Sequence, residues 1–323
     1  MTIQNVFSRL ARDGFIESKG KLGTFVAANP PHLCDYGLAF FSHLGQENWR
    51  RFDTAFQNEA SEIDRLQDRR MRFYYGIAYQ PDLGEEHQRL IADAHANRLA
   101  GVIFASRPSL QLIQALAAKA PRMPCVAIMG NRPADLPTVS IVTPGSQNLF
   151  AKAIDYLASR GRRRVAFMSN TQLSSAKEEA WQENLQKLVT ARNMTTEPYW
   201  MLGGNAVAAR NITHLLFAPG RPDRPDCLFI TDDNLVERAT AGLMAAGVRV
   251  PDDVDVVAHC NFPWPVPSAM PVKRLGYDAR EVLKRCMSLI DEQRDGQLAP
   301  KHIVMDAVFE EEVAAASEQH MDS

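Results

Sequence analysis

The chain has little of what would commit it to catalysis, to a metal or to a membrane. It holds five cysteines in 323 residues, Cys34, Cys125, Cys227, Cys260 and Cys286. They are odd in number and widely spaced, with no C-x-x-C pair, so reduced thiols in a cytoplasmic protein account for them better than disulfides or zinc. No apolar run approaches the roughly 18 residues that a membrane span needs, and no basic-then-apolar leader opens the sequence. Neither sign of charge dominates: 36 Lys and Arg stand against 38 Asp and Glu, for a net −2. Such a balance excludes a protein that coats nucleic acid, and any basic function must be local. The sequence also lacks G-x-G-x-x-G, G-x-x-x-x-G-K-[ST] and G-x-S-x-G, and no His or Cys set has metal-ligand spacing. The expectation is therefore no cofactor, no metal, no membrane partner and no enzymatic activity.

What is present is an apolar content of 46%, enough for a sizeable core in a chain of this length. One stretch organises the rest, Asp226 to His259. Cys227 to Thr231 reads as a short buried strand, with Asp232 and Asp233 directly at its carboxyl end. Leu235, Ala239, Leu243 and Ala246 then recur at helical spacing. Gly247 suits a helix C-terminus, where the left-handed conformation costs glycine nothing. Val254, Val256 and Val257 begin the next strand. In an open parallel sheet, ligands bind beyond the carboxyl ends of strands. Asp232 and Asp233 at one such end, and His259 with Asn261 at the next, are the first candidate site.

The same alternation runs through most of the chain. Strands are predicted at 38–42, 73–79, 101–105, 125–129 and 139–142, then at 165–168, 199–202, 227–231, 254–257, 272–275 and 302–309, with helices between them. Regular β-α alternation predicts parallel sheets with helices on both faces. Two such units in succession predict two lobes, one over about 36–143 and 272–299, the other over about 144–271 and 300–312. Residues 29–35, with Asn29-Pro30-Pro31, read as a linker, and 313–323 as a polar, frayed tail.

The first 28 residues differ from this pattern. Ile3, Val6, Phe7 and Leu10 make one helix face, Asp13-Gly14 stops the helix, and Lys19-Gly20-Lys21-Leu22 joins two short β segments. The run Thr2 to Glu17, with Gly23-Thr24-Phe25-Val26, resembles the recognition helix and wing of GntR-type winged helix-turn-helix regulators. That resemblance implies DNA as a partner, with Thr2, Gln4 and Asn5 suited to base edges or phosphates and Arg9, Lys19 and Lys21 to phosphates. On charge alone the same residues suit a solvated amphipathic helix and a polar turn. GntR-type domains carry further helices before this one, and the sequence begins inside it. A lone helix and hairpin cannot bury its apolar face and is marginal by itself.

The region from about Tyr36 to Glu312 resembles the effector domains of LacI/GalR-type regulators, which are built like type I periplasmic binding proteins. The residues that carry the likeness are Tyr156-Leu157-Ala158-Ser159-Arg160-Gly161-Arg162-Arg163-Arg164-Val165, the strand ending in Thr231-Asp232-Asp233, and Ala246-Gly247-Val248-Arg249-Val250-Pro251-Asp252-Asp253-Val254. A GntR-type reader joined to a LacI-type sensor is the architecture of arabinose-responsive regulators. The resemblance implies a two-lobed fold of doubly wound sheets, a small-molecule effector such as a sugar held between the lobes, and a homodimer. By motif position it points to Trp49, Lys177, Trp181, Asp232 and Asp233 as ligand contacts, with His259 and Asn261 beside them. Each has a structural alternative: Lys177 a solvated helix charge, Trp49 and Trp181 core residues, Asp232 a helix cap. The family's Gly-Tyr-Asp-Asp is replaced here by Ala258-His259-Cys260-Asn261, so a poor acceptor stands where a carboxylate pairs with sugar hydroxyls. Two functions follow: a ligand-responsive transcriptional regulator, or a small-molecule-binding protein that has lost DNA binding by truncation at its amino end.

Overall fold

The structure, a computed structural model, describes residues 2–46, 49–66, 69–77, 84–170, 175–296 and 299–321, with the side chains of 66, 175–180 and 317–321 left undescribed. The chain divides into two compact units, 1–144 with 279–305 and 145–278 with 306–323.

The chain opens with helix α1 (Ile3–Arg12), which buries none of its residues, and an antiparallel hairpin, β1 (Ile16–Ser18) with β2 (Thr24–Val26). Ile3 is 78% exposed and Phe7 48%, so the apolar stripe read from the sequence faces solvent. Two anchors tie this segment to unit 1. Arg98 Nη2 donates to Asp13 Oδ2 at 2.9 Å, and the Phe15 ring stacks on His32 at 5.8 Å. The hydrogen bond from Arg98 holds the Asp13 carboxyl below its usual range. The expected linker at 29–35 is partly ordered: Pro31–Cys34 forms the short helix α2 and Asp35 already belongs to a strand.

Unit 1 then follows strand–helix alternation: β3 (Asp35–Ala39), α3 (Arg51–Leu66), β4 (Arg70–Tyr74), α4 (Glu85–His95), β5 (Gly101–Phe104), α5 (Leu110–Lys119), β6 (Cys125–Ile128) and β7 (Ser140–Pro144). Unit 2 repeats the scheme: α6 (Ser146–Ser159), β8 (Val165–Ser169), α7 (Ser175–Thr190), β9 (Met201–Gly203), α8 (Ala206–Leu216), β10 (Cys227–Ile230), α9 (Asp233–Ala245), β11 (Asp255–Phe262) and β12 (Lys273–Asp278). Helix α10 (Ala279–Arg294) and β13 (His302–Met305) return to unit 1, and β14 (Val308–Phe309) with α11 (Glu310–Met321) completes unit 2.

Among the described residues each unit has a six-stranded sheet. The orders are β4-β3-β5-β6-β7-β13 and β9-β8-β10-β11-β12-β14, the same 2-1-3-4-5-6 succession in both. All pairs are parallel except β12 with β14. The central strands are buried on both faces, which is why they read as short continuous apolar runs rather than alternating ones. Ala166, Leu228, Ile230, Val256 and Ala258 pack under α8 and α9, and Ala39, Val102, Phe104 and Ala127 form the equivalent layer with α4 and α5 in unit 1. Helix α8 approaches α9 closely because position 242 is glycine: a Cβ there would overlap the Thr213 hydroxyl and the Arg210 carbonyl.

Three sequence expectations are corrected. The last strand, predicted over 302–309, is two strands, one in each sheet. Residues 273–278 extend the sheet of unit 2 beside β11, so the region assigned to lobe 1 begins at Ala279, and β13 belongs with β7 of unit 1. The polar tail instead starts as helix α11, whose first-turn acids Glu310, Glu311 and Glu312 pair with Arg274, Lys273 and Lys152. These ion pairs hold the first turn of the helix to β12 and α6.

Candidate functional site

In a 2-1-3-4-5 sheet the connections leave in opposite directions on either side of the first strand, opening a crevice at the carboxyl ends of the first and third strands. In unit 2 these are β8 and β10. The Thr231 amide and hydroxyl both donate to the Met168 carbonyl, at 2.8 and 3.1 Å, and hold the two strand ends together. Asp232 follows as the N-cap of α9. Its Oδ1 accepts from the Asn234 amide at 2.9 Å and from Asn234 Nδ2 at 2.7 Å. The capping role weighed in the sequence is therefore realised, and Oδ2 has no bond among the described residues.

Asp233 and Asn261 are brought together. Residue 227 of β10 pairs with 255 of β11, so the register places residue 261 level with 233, beyond the last residue of β10. There Asn261 Nδ2 donates to Asp233 Oδ2 at 2.7 Å, and both residues are buried. The pair closes on itself across the top of β10 and places a carboxylate at the positive end of α9. It is a support for the site more than an open contact.

The positions of His259 and Asn261 differ from expectation. Both were placed beyond a strand ending at Val257, whereas β11 runs to Phe262 and pairs with β12 along that length. Polar residues at 259 and 261 masked the continuation, because a buried strand reads by its apolar run. His259 lies 5.9 Å from Tyr277 of β12, ring to ring. His259 Nδ1 and the Tyr277 hydroxyl are both buried and have no hydrogen-bond partner among the described residues. Burial first, and then the nearby Asp306 carboxylate, pushes the Tyr277 hydroxyl up, so it stays protonated and able to donate. Sequence reasoning missed Tyr277; its only signal was a tyrosine near the carboxyl end of a strand. Cys260, on the opposite face, is 1% exposed, and burial pushes its thiol up to about 12.

Trp181 belongs to a ring cluster, 6.4 Å from both Phe150 and Phe167, with Phe229 5.2 Å from Phe150. Trp181 is half-buried there and lines a groove of about 730 Å³ between α6 and α7. Lys177 lies in α7, and its side chain is outside the described residues.

In unit 1 the corresponding strand ends are β3 and β5. Trp49 stands 5.0 Å from Phe40 and 6.0 Å from Tyr75, and Tyr75 stacks on Phe40 at 5.6 Å. The Trp49 indole N–H is spent on Thr54 Oγ1 at 2.8 Å, which leaves the ring, rather than the N–H, as its contact surface. Arg50 forks onto Asp53 at 2.7 and 3.0 Å and reaches the Ala105 carbonyl at the end of β5. Arg50 and Tyr75 were not singled out in the sequence, because the Ala105 carbonyl and the Phe40 ring that place them at the strand ends are distant along the chain.

At the amino end, Thr2, Gln4 and Asn5 are exposed, and Thr2 makes no side-chain cap. Arg9 lies 3.8 Å from Asp13, and Lys19 pairs with Glu17 at 2.9 Å and lies 5.7 Å from the Phe25 ring. Lys21 is exposed at the hairpin tip. Among the described residues no cluster could hold a metal ion, and no helix is long and apolar enough to cross a membrane.

Two repeated sheets of identical order, with polar and aromatic groups at the carboxyl ends, decide the fold. The fold is periplasmic-binding-protein-like. Residues 154–308 match the profile of the periplasmic binding protein-like domain. Among solved structures, a LacI family transcriptional regulator from an Arthrobacter species in complex with lactose superposes with a TM-score of 0.63 at 16% identity, covering 85% of this chain and 97% of that one. A LacI family regulator from Lactobacillus casei with bound glucose gives 0.61 at 18% identity, covering 85% and 98%. Among curated proteins, the HTH-type transcriptional repressor PurR of Vibrio vulnificus is 25% identical over 164 residues, 48% of this chain and 49% of the repressor. The PurR repressor of Aliivibrio fischeri is 29% identical over 127 residues, 36% of this chain and 37% of the repressor. The chain thus spans half the length or less of the curated relatives it matches. The periplasmic-binding-protein-like fold extends over both units, and the sequence match is concentrated in unit 2 and the α10–β13 return.

Proposed function

We propose that this protein is a ligand-responsive transcriptional regulator of the LacI/GalR type, a binding protein rather than an enzyme. The observation that carries the reading is the doubled 2-1-3-4-5-6 topology with Asp232 at a strand end, in a fold whose similar proteins are named repressors and regulators. Its effector is a small polar molecule, a sugar or a derivative of one. In unit 2 the contacts are Asp232, His259 and Tyr277, with Asp233 and Asn261 positioning Asp232's helix, and in unit 1 Trp49 is a separate candidate contact. Solved relatives hold lactose, glucose or cellobiose, which supports a polyhydroxy ligand here. The protein works as a homodimer in the cytoplasm. Val207 and Leu215 of α8, Met244 of α9 and Trp264 after β11 are exposed apolar residues on unit 2 that a self-association surface would cover. A screen of neutral sugars and sugar acids by thermal shift tests the reading, since a ligand of the native state raises the midpoint with concentration.

In this reading α1 and the β1–β2 hairpin are the recognition helix and wing of a GntR-type reader, with Thr2, Gln4, Asn5, Arg9, Lys19 and Lys21 facing DNA. A second function, effector binding without DNA binding, is favoured by one observation: α1 buries none of its residues. Selection from a random duplex pool separates the two. Enrichment of one motif, lost in Gln4→Ala/Asn5→Ala, supports the regulator; no enrichment supports the second function.

A further inference from the structure

A separate feature lies at the amino edge of the sheet in unit 1. A cavity of about 460 Å³ opens where α4 and α5 end and β5 and β6 begin. His95 and Lys119 are the last residues of those helices, Arg122 follows in the turn after α5, and Arg294 closes α10. His32 and Leu33 of α2 complete the wall. No Asp or Glu lines the cavity. Its floor is apolar, with Ala94, Leu99 and Ala100 all buried.

The bland explanation is that basic residues at helix C-termini complement the macrodipole, which places about half a negative charge at each end. It covers Lys119 and His95 in part: His95 Nδ1 lies 3.0 Å from the Lys119 carbonyl, so that nitrogen carries the proton. It does not cover Arg122, which lies beyond the helix end. Arg294 is engaged by Asp291 at 3.2 Å and by the Leu33 carbonyl at 3.0 Å. Lys119 and Arg122 have no carboxylate partner among the described residues. Arg122 therefore remains uncompensated, and Lys119 is offset only by its helix end, beside an apolar floor.

We propose that this cavity is a second small-molecule site, for a compact metabolite carrying a multivalent oxyanion, phosphate or polycarboxylate. The Arg122 fork and the Lys119 ammonium take the charged oxygens, and the carbon skeleton rests on Ala94, Leu99 and Ala100. An occupant also touches α2, the segment that joins the β1–β2 hairpin to β3, so occupancy holds that segment against the ends of α4 and α10. The proposal is independent of the effector reading above, because it uses none of the same residues.

The test is a thermal-shift titration of the full chain with inorganic pyrophosphate and with citrate, at constant ionic strength set by chloride. Wild type is compared with Lys119→Ala/Arg122→Ala and with a control, Lys187→Ala/Arg249→Ala, in unit 2. The expected result is a saturable rise in midpoint with one of the two anions, unchanged in the control. In the cavity variant the apparent affinity falls roughly tenfold or more, the scale of one lost charge-assisted contact. Pyrophosphate alone acting assigns phosphate chemistry; citrate alone acting assigns polycarboxylate. Hydrogen exchange at the amides of 32–35 should slow with the active anion. No saturable shift with either anion, or an equal shift in the cavity variant, overturns the proposal. Both positions are exposed, and if the double variant melts early without anion, Arg122→Ala alone carries the comparison.

Discussion

Individual side chains at the carboxyl end of the unit 2 sheet do opposing work. Asp233 and Asn261 stabilise one another, whereas His259 Nδ1 and the Tyr277 hydroxyl are held away from partners among the described residues. An unpaired buried hydroxyl costs stability, so its removal should return some. Tyr277→Phe is expected to raise the melting midpoint of the ligand-free chain by the equivalent of about 1 kcal/mol, read by calorimetry; a lower midpoint would mean the hydroxyl already has a structural partner. Asp233→Ala should cost about 1.5–3 kcal/mol, because it deletes a charged acceptor and strands a buried amide. Chemical modification gives a further check. Cys125, Cys227, Cys260 and Cys286 are buried and Cys34 is only half-buried, and burial raises all five thiols, so access separates Cys34 from the rest. Native protein at mild alkaline pH should take up alkylating reagent at Cys34 only, counted by mass, with the other four reacting on unfolding.

The elements show where the sequence was legible. The buried parallel strands were readable because each is a short apolar run followed by a helical pattern, and the capping role of Asp232 was readable from its place after one such run. The end of β11 was not, because His259 and Asn261 are polar for reasons set by Tyr277 and Asp233, residues brought near only by strand register. The split of 302–309 into β13 and β14 was hidden for a related reason: both pieces look like strand, and the choice of sheet depends on partners in β7 and β12. On its other edge β12 meets β11, where Gly276 pairs with Cys260. A Cβ there would sit inside the Cys260 backbone, 2.7 Å from its carbonyl carbon. Gly276→Ala should therefore separate β11 from β12 and destabilise unit 2 on the order of 3 kcal/mol or more, seen as loss of the cooperative transition or of soluble protein. At the other extreme, α1 and the hairpin bury almost nothing. Their amides should exchange within seconds while those of β8, β10 and β11 stay protected, and protection of α1 equal to the core would contradict the exposed face described here.

At the scale of the whole molecule, the chain repeats one topology twice and passes between the two units three times, at 144/145, 278/279 and 305/306. Each sheet presents its own candidate groups at its carboxyl ends, an aromatic platform with Trp49 in one and an acidic helix start with Asp232 in the other. Under the proposed function, a small polar effector is held in unit 2 at Asp232. The most direct measurement is calorimetric titration of sugars and sugar acids into wild type and into Asp232→Ser. Serine keeps the helix cap, so stability should change by only about a few tenths of a kcal/mol, while the carboxylate is withdrawn. Saturable binding of at least one such ligand to the wild type is expected, with roughly tenfold or greater weakening in the variant, the scale of one charged hydrogen bond. Binding of equal strength to both proteins, or no binding of any sugar or sugar acid to the wild type, would contradict it.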